Sequence, residues 1–529
     1  MRSLKKPNWQ KLKEQKEQNN LIRFIGLSLF LLIPISVVLV YVLKNTVADS
    51  FSLFESNNII NGSTITVKAG GNFQAALDKA KAGDTILLQA GATFKGAFNL
   101  PNKTGNKFIL IRTSASDAQL PSADTRIDPK IYTAVLPKLQ SDVEGQPVIL
   151  AANGAHHFRF VGIEFAPTDK GLYNIIQLGT GEEKSIEELP HHIEFDRVYI
   201  HGSPIEGQRR GIAANGKFIK ITNSYISDIK RKGEESQAIA VWASDGPVEI
   251  TNNYLEAAAE NILFGGAGSL LKLVPTDCVV RENHLNKPVE WREQGWTVKN
   301  HFQIKNGRRI KVENNLMTNN WAMAQDGTSI VFTTRADNGD ASVIEDIKFA
   351  DNIVRGSGNA INIYGSEGKG GKNLVIRNNV FDDIDGKKWG GEMGFFIKST
   401  EWDGLIIENN TIFQNGSITV AYGEPVKNFV FRNNIVFRNE YGFFGDNVGT
   451  GKVALEKYFP GYIVSNNIII GGSSVDNAGN YYLLSLRQVG FASVENKDYR
   501  LQLNSPYLKK GFGGKPVGAN LDAKMVGGK

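Results

Sequence analysis

One phrase recurs through most of this chain: a short alternating apolar run, a pair of asparagines, then another apolar residue. It reads EITNNYL, VENNLM, IRNNVF, IENNTI, FRNNIV and VSNNII, with RENHL and ADNIV as variants. The second position of the pair falls at Asn253, Asn283, Asn315, Asn352, Asn379, Asn410, Asn434 and Asn467, at intervals of 24 to 37 residues. A recurrence at that period is a solenoid signature. Each phrase is followed by a second alternating run, such as QAIAVW, HFQIK, SIVFTTR, AINIYG or SITVAYG. Short strands repeating this way predict one coil per repeat, stacked in parallel about 4.8 Å apart, with every second side chain pointing into a narrow apolar interior. The paired asparagines then have two uses. Asparagine tolerates the left-handed bend between strands, and stacked asparagine side chains hydrogen-bond from coil to coil as a ladder.

This pattern resembles the right-handed parallel β-helix of the pectin-lyase-like superfamily. The phrases AENILFGG, RENHLNKPVEW, WTVKNHFQIKNGRR and NNWAMAQDG resemble, more particularly, a widespread group of extracytoplasmic β-helix repeat proteins, a likeness that brings no activity with it. The expected fold is all-β: a single-stranded right-handed parallel β-helix over residues 64–505, followed by a C-terminal tail, 506–529. In NFQAALDKAKAGD, Phe73, Ala76, Leu77 and Ala80 fall at helical spacing, which predicts a short amphipathic helix capping the first coil.

Residues 24–43 carry no charged side chain, a length that crosses a hydrocarbon core of about 30 Å. Basic residues crowd the 1–23 segment before it, so the positive-inside rule predicts a cytoplasmic N-terminus, a transmembrane anchor, a linker over 44–63 and an extracytoplasmic solenoid. The rival is a signal peptide cut after Ala48, but the apolar run is long for one. The net charge of +6 belongs to this region, because residues 1–44 hold eight basic and two acidic side chains. The remainder is about neutral and carries no nucleic-acid-binding motif. A single cysteine, Cys278, excludes an intramolecular disulfide framework.

The connections after Asn283, Asn315 and Asn379 are about twice as long as the others, and long loops on a regular scaffold are where function concentrates. They carry Trp291, Trp296, Trp321 and Trp389. Exposed indoles suit the apolar faces of sugars; the alternative is that they pack the loops against the coils. Between two of these loops runs HFQIKNGRR. With Phe302 and Ile304 inward, Gln303 and Lys305 face outward, beside Val331, Thr333 and Arg335 of the next coil. Lys287, Arg292, Lys299, Lys305, Arg308, Arg309 and Lys311, with His284 and His301, suggest a local positive patch, suited to a uronate carboxylate.

The resemblance implies a polysaccharide-acting enzyme, lyase-like on an acidic glycan, or a non-catalytic glycan-binding or surface-assembly protein. In uronate lyases of this fold a basic side chain takes the proton beside the carboxylate while a cation, often calcium, neutralises that carboxylate. Carried onto this chain, Lys305 is the candidate base and Arg308, Arg309 and Arg335 the carboxylate binders. Gln303, His301, Trp291, Trp296, Trp321, Gln325 and Asp326 are candidate substrate contacts. Glu235, Glu260 and Asn261 are the oxygen ligands for a possible calcium ion. The chain departs from the family's motifs: the place of the acidic calcium ligands reads TVKN, and the Gly-His-Gly turn of polygalacturonases is missing.

Overall fold

The computed structural model describes residues 62–167, 171–473, 479–522 and 526–528. The chain divides into a unit of residues 1–56, which lies outside the described residues together with the expected anchor, and a unit from residue 57 onward. Among the described residues no helix is long and apolar enough to cross a membrane.

The described chain is a right-handed parallel β-helix built from three long sheets of 15, 14 and 13 strands, called here the first, second and third. A typical coil runs from Val279–Arg281 in the first sheet to His284–Asn286 in the second and Asn300–Ile304 in the third, then returns to the first at Lys311–Glu313. Inward positions stack in register. One column of the first sheet reads Phe160, Phe195, Ile221, Ile250, Val280, Val312, Phe349, Ile376, Ile407 and Phe431, and all ten are buried. A β-branched or aromatic side chain at every second position suits a pleated surface buried on its inner face.

The corner between the first and second sheets explains the doubled asparagines. The first member takes the left-handed conformation: φ is 55° at Asn252, 56° at Asn314, 54° at Asn378 and 58° at Asn433. The second member is buried and forms the ladder. Asn315 donates from its backbone N–H (2.9 Å) and from Nδ2 (3.0 Å) to Oδ1 of Asn352. Asn352 repeats both bonds to Asn379, and the chain of bonds runs from Asn253 to Asn480. Each Nδ2 also reaches a carbonyl of the preceding coil, as Asn352 does to Val312 at 2.9 Å.

The helix Phe73–Lys79 forms as expected, with Asn72 accepting from the N–H of Ala75. Its Phe73 meets Phe98 edge-on, ring centroids 4.8 Å apart. The C-terminal tail runs back along the asparagine corner. The N–H of Phe512 donates to Asn433 Oδ1 (2.7 Å), that of Asn520 to Asn378 Oδ1 (2.7 Å) and that of Gly527 to the Asn314 carbonyl (2.9 Å).

The two asparagine roles separate by mutation. Asn352→Ala strands the buried Asn315 N–H and the Val312 carbonyl and is expected to cost about 2–4 kcal/mol. Asn314→Gly keeps the left-handed bend and is expected to change stability by less than about 1 kcal/mol. Denaturant melts of the two variants check both values.

Candidate functional site

The third sheet presents its outer face to solvent through two rows of side chains. Strand alternation sets them, and register carries them from coil to coil. One row reads Leu263, Gln303, Val331, Asn362, Lys398 and Val420. The other, two positions further along, holds Thr333, Tyr364 and Thr400, with Lys305 and Tyr422 one position past their strand ends. Over this face lies an open depression of about 340 Å³, lined among others by Gln303, Asn362, Arg335, Tyr364 and Tyr422, with Gln325 and Asp326 of a long loop at its edge.

Its polar groups differ in how far they are satisfied. Arg335 donates to Glu367 at 2.6 Å and lies 5.4 Å from the Tyr364 ring centroid. Lys398 Nζ lies 5.3 Å from the centroid of Tyr422. Burial, and then Tyr364, push the Tyr422 phenol up, with Arg335 pulling the other way. Asp326 Oδ1 accepts from the hydroxyl (2.7 Å) and N–H (3.2 Å) of Thr328. By contrast Gln303 Oε1 and Asn362 Oδ1 are buried without a hydrogen-bond partner, and Gln303 is only 4% exposed. Among the described residues Lys305, half-buried, makes no ion pair.

The structure divides the residues singled out in the sequence. Gln303, Gln325, Asp326 and Arg335 meet at the depression, and Lys305 faces outward beside them. Arg308 and Arg309 do not. The chain turns at Asn306, whose Oδ1 accepts from Val343 N–H (3.0 Å), so both arginines fall on the first sheet. There Arg308 pairs with Glu345, and Arg309 donates to both oxygens of Asp277 at 2.7 and 2.8 Å. The expected positive patch is therefore dispersed. Its acidic partners come from other coils, and Lys287 is wholly buried.

His301 is not a surface contact: it is buried, its Nδ1 2.7 Å from Ser329 Oγ and its Nε2 2.9 Å from the Thr318 carbonyl. Burial holds it well below the usual histidine range. The tryptophans are not exposed platforms either. Trp291, Trp296, Trp321 and Trp389 bury one another with Ala258 and Val298, because three long loops leaving the same corner cover more apolar area by packing together than by facing water. Arg292 reaches across two of them to the Lys388 carbonyl at 2.8 Å.

The expected calcium ligands do not form a cation site. Lys299 stands between the carboxylates, paired with Glu235 and 3.3 Å from Glu260. Asn261 turns away, its Oδ1 accepting from Lys287 Nζ at 3.2 Å. An ammonium already fills the position that a divalent ion would take. Asn362, Tyr364, Lys398 and Tyr422 escaped the sequence reading as a set, although AINIYG and SITVAYG place a tyrosine at the same offset after matching strands.

No family model matches this chain, and no curated protein matches it. Among solved structures it is similar to a PL6-family alginate lyase, at 14% identity and a TM-score of 0.45, over 81% of this chain and 50% of that one. It is also similar to the pectate lyase Pel9A, at 11% identity and a TM-score of 0.32, over 88% and 97% of the two chains. A GH136 lacto-N-biosidase from Eubacterium ramulus matches at 11% identity and a TM-score of 0.32, over 82% and 70%. The aligned region thus spans half the length of the alginate lyase. The fold class rests on the strand ladders of this chain itself.

The Lys299 bridge sets a pH dependence. Burial pushes Glu235 up, but the hydrogen bond and charge of Lys299 overcome it and hold the carboxyl below its usual range. Burial pushes Lys299 down, and Glu260 and Glu235 overcome it to raise the ammonium. The stability from Glu235 is complete above the unfolded carboxylate pKa and is lost as pH falls through the lower folded value. That from Lys299 is complete below the unfolded lysine pKa and is lost as pH rises through the higher folded value. Lys299→Met, leaving Glu260 buried and unpaired, is expected to cost about 3–5 kcal/mol at neutral pH and to flatten both limbs of a melting-temperature profile against pH.

Proposed function

We propose that the outer face of the third sheet binds an acidic polysaccharide and cleaves it by β-elimination. The observation that carries this reading is the depression itself, where Gln303, Asn362, Arg335, Tyr364 and Tyr422 line one face that also presents Lys305 and Lys398. Side-chain amides offer both donors and acceptors to sugar hydroxyls. Cations alongside suit uronate carboxylates, and Tyr364 and Tyr422 offer ring faces to the sugar.

In the reaction Lys305 takes the proton on the carbon beside the carboxylate. The electron pair moves toward that carboxylate, which Arg335 or Lys398 stabilises. The bond to the glycosidic oxygen then breaks, a carbon–carbon double bond forms, and Tyr364, two coils along the same row, gives the leaving oxygen its proton. Hydrolysis by paired carboxylates is disfavoured, because Glu367 is held by Arg335 and Asp326 by Thr328. That same commitment of the nearby carboxylates favours, as a second reading, a site that binds acidic glycan without cleaving it.

The anchor reading completes the proposal: residues 24–43 hold the solenoid to the outer side of a membrane. Loss of membrane retention in a chain begun at residue 57 tests it.

A panel of uronate polymers, followed by ultraviolet absorbance of the unsaturated product, tests the reaction. Lys305→Ala is expected to lower turnover by at least about 100-fold, with a melting temperature close to that of the parent. Undiminished turnover in this variant overturns the assignment of the base. Retained binding with no product from the parent on any polymer selects the binding-only reading, and loss of that binding in Lys398→Ala places it on this face.

A further inference from the structure

Far from the depression, on the first sheet, two successive coils carry HHFRFV and HHIEFD in the same register, His156 opposite His191. Their imidazoles stack in two columns. His156 lies on His191 with centroids 4.6 Å apart and planes 4° from parallel, and His157 on His192 at 4.5 Å and 6°. Within each coil the two rings meet nitrogen to nitrogen: Nδ1 of His156 is 2.6 Å from Nδ1 of His157, and Nδ1 of His191 is 2.7 Å from Nδ1 of His192. His157 and His192 are left-handed, with φ of 58° and 52°, and that bend turns the second ring of each pair back toward the first.

Stacking alone does not account for imidazole here. The column of His157 and His192 continues into Phe218, 4.4 Å from His192, and at its other end Phe108 meets His157 edge-on at 5.2 Å. Phe218 has the same left-handed backbone, φ 52°. A phenyl ring therefore satisfies the ladder where no nitrogen is needed, and histidines occupy only the two coils where ring nitrogens meet in pairs. Two nitrogens at hydrogen-bond distance cannot both carry a proton between them, so each pair turns at least one lone pair inward. One ring nitrogen from each of His156, His157 and His191 lies within 4.8 Å of the other two. Modest ring rotations bring such a set to the spacing of about 3.3 Å that ligands of a tetrahedral ion with bonds of about 2.0–2.1 Å require.

We propose that His156, His157 and His191, with His192 stacked beside them, bind one late first-row divalent metal ion, of the Zn2+ type, as a clasp between two successive coils. Neutral imidazole is the preferred ligand for this class, whereas calcium and magnesium want oxygen. The rings are ready to ligate at neutral pH. Burial above all, reinforced by their mutual repulsion, pushes His157 down to about 3 and His191 to about 4, and burial with His156 and Lys217 pushes His192 to about 4. Binding moves the shared proton of each pair from Nδ1 to Nε2 of the same ring, so neutral ligands are delivered without net proton release. Lys217, the nearest cation in the adjoining coil, has Asp245 at 3.4 Å to hold its charge.

The test uses the untagged full-length chain, in mild detergent, stripped with EDTA and titrated calorimetrically with Zn2+, alongside Co2+ absorption spectra. One Zn2+ per chain, ligand-field bands of a nitrogen-rich Co2+ site and a raised melting temperature are expected. The paired substitution His157→Phe with His192→Phe copies the flanking Phe108 and Phe218, so it preserves the ladder. It is expected to melt like the parent in EDTA and to lose at least about 100-fold in affinity. Should it fail to fold, His156→Gln with His191→Gln serves the same purpose on the other column. Absence of saturable one-to-one binding in the parent, or parent-like affinity in a folded variant, overturns the proposal.

Discussion

The asparagine ladder is the constraint on which the rest depends. A parallel solenoid must turn its chain at each corner while keeping every strand in register with the coil before and the coil after. A buried corner also strands backbone groups that water cannot reach. One asparagine amide solves both at once, donating through Nδ2 to the neighbouring coil and accepting through Oδ1 the N–H of another. Once that spacing is fixed, the strands on either side have no choice of register, because a slip of one residue would exchange every inward Ile and Phe with an outward Lys or Glu. The position of each outward side chain on the third sheet therefore follows from a hydrogen bond made on the opposite side of the coil.

This is why the architecture was legible in the sequence and much of the site was not. The inward column and the ladder are written locally, as a phrase that repeats. The charge pattern is written across coils. Arg308 and Arg309 stand in a run of basic residues, yet Glu345 and Asp277, which neutralise them, are 37 and 32 positions away and one coil distant in space. A count of charge along the chain sees a patch where the surface has a lattice of pairs, as it also has at Lys348 with Glu313 and Arg432 with Glu408. The tryptophans misled for a related reason. Each long loop examined singly looks like an exposed excursion, whereas three emerging from one corner form a small core of their own. The tyrosines of the depression were visible in principle, since Tyr364 and Tyr422 close two strands of the same pattern, but only a register between coils makes them neighbours of Arg335 and Lys398.

The corner between the second and third sheets, where the Trp loops depart, shows how this chain handles buried charge. Lys287 is enclosed by oxygens. Its Nζ donates to the carbonyls of Ala257 and Ala258 at 2.9 Å, of Ala259 and Asn300 at 3.0 Å, and to Asn261 Oδ1 at 3.2 Å. One lysine thereby gathers four backbone carbonyls at the bend, and burial pushes it down to about 7. Lys299 does the corresponding work for Glu235 and Glu260, and His301 ties the same corner through Ser329 and Thr318. With lysine in both places, side-chain bonds tie the corner together across coils.

Those bonds bear on the depression next to it. Gln303 follows His301 by two residues, and Asn300, at the head of the same strand, offers its carbonyl to Lys287 and its Nδ2 to the Thr328 carbonyl at 2.7 Å. The start of the strand is thus tied to two neighbouring coils, and Gln303 stands on its outward face. A mobile surface would let its amide swing round to neighbouring groups. Here the closely packed row between Leu263 and Val331 holds Gln303 in place. In the proposed binding of an acidic glycan, cations fixed on such a sheet would not first have to be ordered.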